Sequence, residues 1–234
     1  MPGTSLGRDE VEITLVGAGR SGAQIALVAV MLGFPLGIYD FDRLEPENQG
    51  RQLHTAAEIA ARREKVVALR ALLRAFVPDA RVATHCDRFE GRADQPRSPV
   101  VVLAVDSMRE RRHVWDALAD APDVLLVLDV RIGAAQVRLH EVQRGRQGDL
   151  EEYARSLHDD PVDSAPAPCA QDSTAHAAAA AAALVGGALC AFVDGTPRPR
   201  WSVIDLDRAH FCAGWPLEES NRGAPVTFER RPET

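Results

Sequence analysis

Lysine is almost absent from this 234-residue sequence: of its 27 basic residues, 26 are arginine and one, Lys65, is lysine. Codon bias toward arginine accounts for a low lysine content, so the single retained position matters only in company with other residues. Basic charge is also short overall. The formal net charge is -7, and partners such as nucleic acid or an anionic bilayer need a basic surface, so neither is expected. Cysteine comes as four separate residues, Cys86, Cys169, Cys190 and Cys212, without a CxxC pair; zinc ribbons and thioredoxin-type motifs are excluded, and no zinc is expected. The seven histidines show no metal-ligand or triad spacing. The opening segment has Asp9, Glu10 and Glu12 beside its first apolar run where a secretory signal needs basic residues, so a cytoplasmic protein is expected. The one charge-free run, Ser173 to Val193, is mostly alanine with Gly186 and Gly187. Alanine gains little in lipid, and the run reads as a closely packed buried helix.

What is present is an ordinary globular composition, 46% hydrophobic and 26% charged, sized for one large domain. Val11 to Val16 is a β-branched run that breaks into Gly-Ala-Gly-Arg-Ser-Gly, and an apolar helix follows at Ala23 to Leu32. Leu36 to Phe41 reads as a second buried strand ending in acid at Asp40 and Asp42. Ala56 to Phe76 carries apolar residues at helical spacing, with Pro78 as its stop. Arg81 to His85, Val100 to Val105 and Val124 to Leu128 read as further strands, the last two ending in acid at Asp106 and Asp129, with a helix at Met108 to Leu118. Ala135 to Val142 alternates like a half-exposed strand, and Trp201 to Leu206 reads as the last one. Between them Gln143 to Asp172 is polar, acidic and proline-containing, which predicts a long functional or disordered loop. The expectation is an α/β fold, Rossmann-like, with a mostly parallel sheet, helices on both faces and an antiparallel C-terminal extension. Residues 1–212 are expected to form a single domain and 213–234 a tail. No internal repeat is visible.

Gly17, Gly19 and Gly22 form a GxGxxG between strand and helix, where bare backbone lets a phosphate approach unpaired helix N–H groups. The same glycines also suit a tight strand-to-helix turn. Asp40 lies 18 positions after Gly22, placed to accept bonds from ribose hydroxyls, and both NAD and ATP satisfy this much. The segment Asp40-Phe-Asp42-Arg-Leu-Glu-Pro-Glu-Asn48-Gln-Gly-Arg51-Gln52 separates them, because a triphosphate needs cationic and amide donors that a dehydrogenase does not.

Here the sequence resembles the ubiquitin-activating-enzyme-like superfamily, the ThiF-type adenylyltransferases, whose pattern runs DxDxVxxxNLxRQ with a lysine about a dozen residues later. Asn48, Arg51 and Gln52 match, Leu44 stands for Val, Gln49 replaces Leu, and Lys65 follows Gln52 by 13 residues. The resemblance implies ATP binding by Gly17, Gly19, Gly22, Asp40, Asp42, Asn48, Arg51, Gln52 and Lys65, with Arg51 and Lys65 neutralising phosphate charge. It implies Mg²⁺ at Asp106, whose other use would be as a helix N-cap, with Arg111 or Arg112 as the arginine that follows it. It places Cys169 where relatives carry a thioester or persulfide cysteine; the alternative is an ordinary thiol. Cys86, Cys190 and Cys212 read as structural, and Asp129-Val-Arg131-Ile-Gly133 as a structural segment. The implied partner is a ubiquitin-like or sulfur-carrier protein ending in glycine, activated as an acyl-adenylate, and a homodimer packed through Ala177 to Leu189 is expected.

Departures accompany the match. The paired CxxC motifs of many relatives are missing, Arg20 replaces a glycine of the usual GxGGxGS, and only Arg8 could serve as an arginine finger from the N-terminus. Two alternatives follow: an NAD-binding oxidoreductase, supported by Gly17, Gly19, Gly22 and Asp40 alone, and a nucleotide-binding scaffold that has lost adenylation.

Overall fold

A computed structural model describes residues 7–92, 94–133, 135–157 and 175–214. The β-branched runs become the strands of one eight-stranded sheet, in the order β3-β2-β1-β4-β5-β6-β7-β8. Its parallel part comprises β1 (Ile13–Val16), β2 (Leu36–Tyr39), β3 (Val82–His85), β4 (Val100–Leu103) and β5 (Leu126–Gly133). The antiparallel extension adds β6 (Gln136–Gln143), β7 (Trp201–Asp205) and β8 (His210–Gly214). The helices are α1 (Arg20–Met31), α2 (Ala56–Ala60), α3 (Lys65–Phe76), α4 (Met108–Leu118), α5 (Asp149–Ser156) and α6 (Ala175–Val193).

Alternation along the strands divides the apolar residues between two cores, one on each face of the sheet. Ile13, Leu15, Leu36, Ile38, Val100 and Val102 pack with α1, α3 and α6. Val16, Tyr39, Val101 and Leu103 face the other way, toward Val114, Trp115 and Leu118 of α4 and Tyr153 of α5. Each fully buried aliphatic side chain contributes roughly 1.5–3 kcal/mol, so β1, β2 and β4, buried at every position, anchor the fold. Strand order reverses between β1 and β4, and their carboxyl ends open a crevice there.

Three expectations are corrected. Ala56 to Phe76 is two helices, because Leu44 N–H donates to the Arg63 carbonyl at 2.8 Å and Arg43 pairs with Glu64 as an isolated bridge. A continuous helix would have spent those backbone groups internally; instead Arg62 takes φ 48° and α3 starts at Lys65. Asp129 lies within β5, not at its end. The expected loop from Gln143 contains α5, tied down by Asp149, which meets Arg146 at 2.6 Å and Arg200 at 2.8 Å; the stretch 158–168 and Cys169 lie outside the described residues. Along α6, Ala177, Ala181, Val185 and Leu189 are buried in the core with α1, whereas Ala179, Ala183 and Gly187 are exposed.

α6 is long and apolar enough to cross a bilayer by composition, yet its Gly186 lies so close to α1 that an added Cβ would stand 2.8 Å from Val28 Cγ1. That contact is the close packing expected of the alanine run. Strand β8 was not expected from sequence, and it carries the sheet through Gly214. Cys86 is exposed, not structural filling.

Candidate active site

The crevice is built first by backbone. Gly17 has φ 101°, and a Cβ there would lie 2.6 Å from the Ala104 carbonyl; at Gly22 it would lie 2.0 Å from the Gly17 carbonyl. These two glycines let α1 start tightly against β1 and β4. Gly19 is different: a Cβ would meet nothing within 4 Å. No atom of the described residues requires glycine there, so its bareness leaves the turn open to a molecule from outside.

Asp40, just beyond β2, holds the turn in place. One carboxylate oxygen accepts from Ala18 N–H at 2.7 Å and the other from Asp42 N–H at 2.8 Å. Burial raises its pKa, against the lowering effect of those two bonds and of Lys65. Each oxygen keeps a second lone pair for a ribose hydroxyl. Asp42 in turn pairs with Lys65, whose Nζ lies 2.6 Å from Oδ2, and the Lys65 N–H donates to the Asp42 carbonyl at 2.9 Å. Hydrogen bonds thus join the glycine turn, the end of β2 and the start of α3.

The motif segment is pinned by a small core of Leu44, Ile59 and Ala68, which explains why an aliphatic residue stands at position 44. Asn48 shapes the chain: its Oδ1 accepts from Glu45 N–H at 2.8 Å, and its carbonyl accepts from the N–H groups of Arg51 and Gln52. Arg51 is exposed, and Arg20 reaches across from α1 so that its Nε donates to the Arg51 carbonyl at 2.7 Å. Gln52 Oε1 and both ring nitrogens of His54 are buried without hydrogen-bond partners among the described residues. Burial and Lys65 lower the His54 pKa against an opposing Glu58, leaving a neutral imidazole. Sequence reasoning missed His54; its adjacency to the Arg-Gln pair was the available signal.

On the other side of the crevice Asp106 is exposed after β4. It does not cap the helix, since Ser107 is the N-cap of α4 and its hydroxyl accepts from Glu110 N–H at 3.1 Å. Arg111 points away from the crevice. Its guanidinium is buried on Asp129 at 2.8 Å and on the carbonyls of Val105 and Val130. Asp129, wholly buried, also meets Arg131 at 2.7 Å. Burial alone would raise the Asp129 pKa, but the two guanidiniums outweigh it and hold the pKa below the usual carboxylate range. This is a structural cluster. No group of three or more metal-ligating side chains occurs among the described residues.

The structure therefore brings Gly17, Gly19, Gly22, Asp40, Asp42, Asn48, Arg51, Gln52 and Lys65 to one side of the crevice and Asp106 to its β4 edge, while Cys169 lies outside the described residues. The ThiF family model matches residues 8–200, most of the chain. The chain belongs to the ThiF family. Membership of this family supports an adenylyltransferase of the ubiquitin-activating-enzyme-like kind. The comparison with curated proteins finds no match. Among solved structures, this ThiF-family chain is similar to PaaA, with TM-score 0.64 and 16% identity over 88% of this chain and 72% of that one. It is also similar to E. coli MccB with ATP, at TM-score 0.68 and 13% identity over 89% of this chain and 66% of that one. The microcin C7 biosynthetic enzyme MccB in complex with N-formylated MccA gives TM-score 0.69 and 13% identity, over 90% and 67%. Identities this low establish a shared fold, and the chain spans about two thirds of MccB's length.

Proposed function

We propose that this ThiF-family protein binds ATP in the crevice between β1 and β4 and activates a carboxylate as its acyl-adenylate. The observation that carries the reading is the open backbone at Gly19 beside three cationic side chains, Arg20, Arg51 and Lys65, on a chain with few other reasons to gather positive charge there. The buried Gln52 Oε1 and His54 ring nitrogens, without partners among the described residues, fit the same ligand, because a bound nucleotide would supply hydrogen bonds there.

A carboxylate oxygen attacks the α-phosphorus, the bond to the bridging oxygen breaks, and pyrophosphate leaves. The attacking group is already ionised at neutral pH, so no general base is required, and rate enhancement comes from alignment and charge neutralisation. Asp40 holds the ribose, while Arg51 and Lys65 face the phosphates. Lys65 exchanges Asp42 for phosphate oxygen, a motion its compact ammonium permits. Asp106, exposed and uncommitted to helix capping, would hold Mg²⁺, which commonly needs one or two carboxylates and completes its shell with phosphate and water. When bound, that ion shields phosphate charge.

The acceptor in this proposal is the C-terminal glycine of a ubiquitin-like or sulfur-carrier protein. A peptide-like carboxylate is favoured over a small acid by the solved neighbour that holds MccA. Transfer to Cys169 and assembly as a homodimer belong to the same proposal. Carboxylate-dependent exchange of labelled pyrophosphate into ATP tests the first step: Lys65→Ala and Asp106→Ala should each lower it by about two to three decades with unchanged unfolding curves. Near-normal exchange by either variant, with a verified carrier, refutes the assignment. A thiol-sensitive adduct that forms with ATP and carrier and disappears in Cys169→Ser tests the second step. Sedimentation at a mass near 25.4 kDa would rule out the dimer.

A further inference from the structure

Asp106 is exposed, yet the backbone that carries it is held from beneath. Strand β4 ends at Leu103 and α4 begins at Met108, with residues 104–107 as the turn between them. The first residue of the turn is tied to β1, where Ala104 N–H donates to the Val16 carbonyl at 2.9 Å, and the last is tied to α4 through the Ser107 hydroxyl. Between these anchors the Val105 carbonyl accepts from Arg111 Nη2 at 2.5 Å. The same nitrogen donates to the Val130 carbonyl at 2.7 Å, and Nε donates to Asp129 at 2.8 Å. One guanidinium therefore fastens the residue before Asp106 to β5.

Stability alone does not account for the arrangement. Arg111 and Asp129 are both buried, and such a pair loses in hydration much of what it gains in attraction, so well-packed apolar side chains of similar volume are commonly as stable. Apolar side chains cannot, however, hold a carbonyl in a set direction. A guanidinium fork can, because its N–H groups lie in one plane. The carbonyl that it holds belongs to the planar peptide joining Val105 to Asp106, so the orientation of that plane sets where the Asp106 Cα stands.

We infer that Arg111 is a positioning residue of this site: clamped on Asp129, it fixes the peptide before Asp106 and so aims the exposed carboxylate for its work at the phosphates. The inference rests on the adenylation reading above and adds to it a buried residue that touches no ligand. Supports of this indirect kind are typically worth about 10- to 100-fold in activity.

Hydrogen–deuterium exchange on the ligand-free chain and a double-mutant cycle on pyrophosphate exchange test this. Arg111→Lys keeps a charge beside Asp129, but a single ammonium does not span the acceptors as the fork does. Amide exchange over residues 104–107 is expected to quicken roughly tenfold or more in this variant, while the inner turns of α4 keep wild-type protection. Its kcat for pyrophosphate exchange should fall about 10- to 100-fold with the KM for ATP within about twofold, and adding Arg111→Lys to Asp106→Ala should lower the rate no further. If the lysine variant fails to fold, the paired replacement Arg111→Met with Asp129→Leu takes its place: its unfolding curve should stay near that of the wild type while kcat falls by a similar factor. Unchanged amide exchange over 104–107, losses that multiply in the cycle, or a normal kcat in the paired replacement each overturn the positioning role and leave the adenylation reading intact. A wild-type chain that gives no pyrophosphate exchange with a verified carrier overturns both.

Discussion

Position 106 shows how a single side chain divides structure from chemistry. An aspartate before a helix most often caps it, and sequence alone left both uses open; the structure assigns the cap to the next residue, Ser107. The two roles then separate by experiment. Ser107→Ala should cost about 1 kcal/mol of stability, the usual loss of an N-cap, and leave pyrophosphate exchange nearly unchanged. Asp106→Ala should do the reverse, with chemical denaturation and exchange measured on the same preparations. Legibility at this scale followed side chains with charge and fixed spacing: Asp40, Arg51, Gln52 and Lys65 were named from sequence and lie together. His54 and the partner of Arg20 were not legible, because which neighbour a side chain finds across 31 positions depends on how the turn is folded. Both helices that open on the site begin with a cation, Arg20 for α1 and Lys65 for α3, against the preference of a helix N-terminus for negative charge. Local rules broken in this way concentrate where a ligand compensates them.

Among the elements, α1 and α6 pack closely at a glycine. Gly186 sits where a Cβ would press on Val28 Cγ1 at 2.8 Å and on Leu32 Cδ1 at 3.3 Å, whereas Gly187, one residue on, meets only Arg198 Nη1 at 3.9 Å. Gly186→Ala should therefore destabilise the protein by about 1–3 kcal/mol through overpacking. Gly187→Ala, on the exposed side, should stabilise it by about 0.5–1 kcal/mol by restricting the unfolded chain and favouring helix. Thermal melts of the two variants should move in opposite directions, and a shared direction would mean that the helices are not packed as described. The alanine run made a buried helix legible, but not its neighbour. Other elements failed for physical reasons that can be named. The α2–α3 break comes from long-range pairing of Arg43 and Leu44 with Glu64 and Arg63, invisible to helical periodicity. Helix α5 was hidden by its polarity, since arginine–carboxylate pairs hold it as much as apolar contacts do.

For the whole molecule, the question is what ties the helices on one face of the sheet to its strands. Asp129 does so on β5, binding Arg111 from α4 and Arg131 from its own strand, while Arg131 continues to Ser156 at the end of α5. Removing one partner of a buried pair leaves an uncompensated charge, so Asp129→Asn should cost about 3–5 kcal/mol. His140 lies opposite Asp129 on β6 and stacks edgewise near Tyr153. Burial, and then Arg131, against an opposing Asp129, push its pKa down from 6.5 to about 4. The folded protein thus keeps this imidazole neutral while the unfolded chain protonates it. Stability is complete above the unfolded value, falls as pH drops from 6.5 toward 4, and levels off below that. One group displaced this far accounts for roughly 2–4 kcal/mol. The Asp129 contribution has the same sign but a lower window: it is present at neutral pH and is lost only as pH falls below the ordinary carboxylate range, through the depressed folded value. Asp40 and Glu141, whose pKa values burial raises, act oppositely, because folding favours their protonated forms. The comparison that isolates His140 is therefore between variant and wild type. Urea unfolding at pH 7, 5.5 and 4.5 should show the wild type losing stability relative to His140→Leu at each step down. Parallel pH profiles for the two proteins would mean that His140 titrates normally in the folded state and that the space between β6, α4 and α5 is wetter than its burial implies.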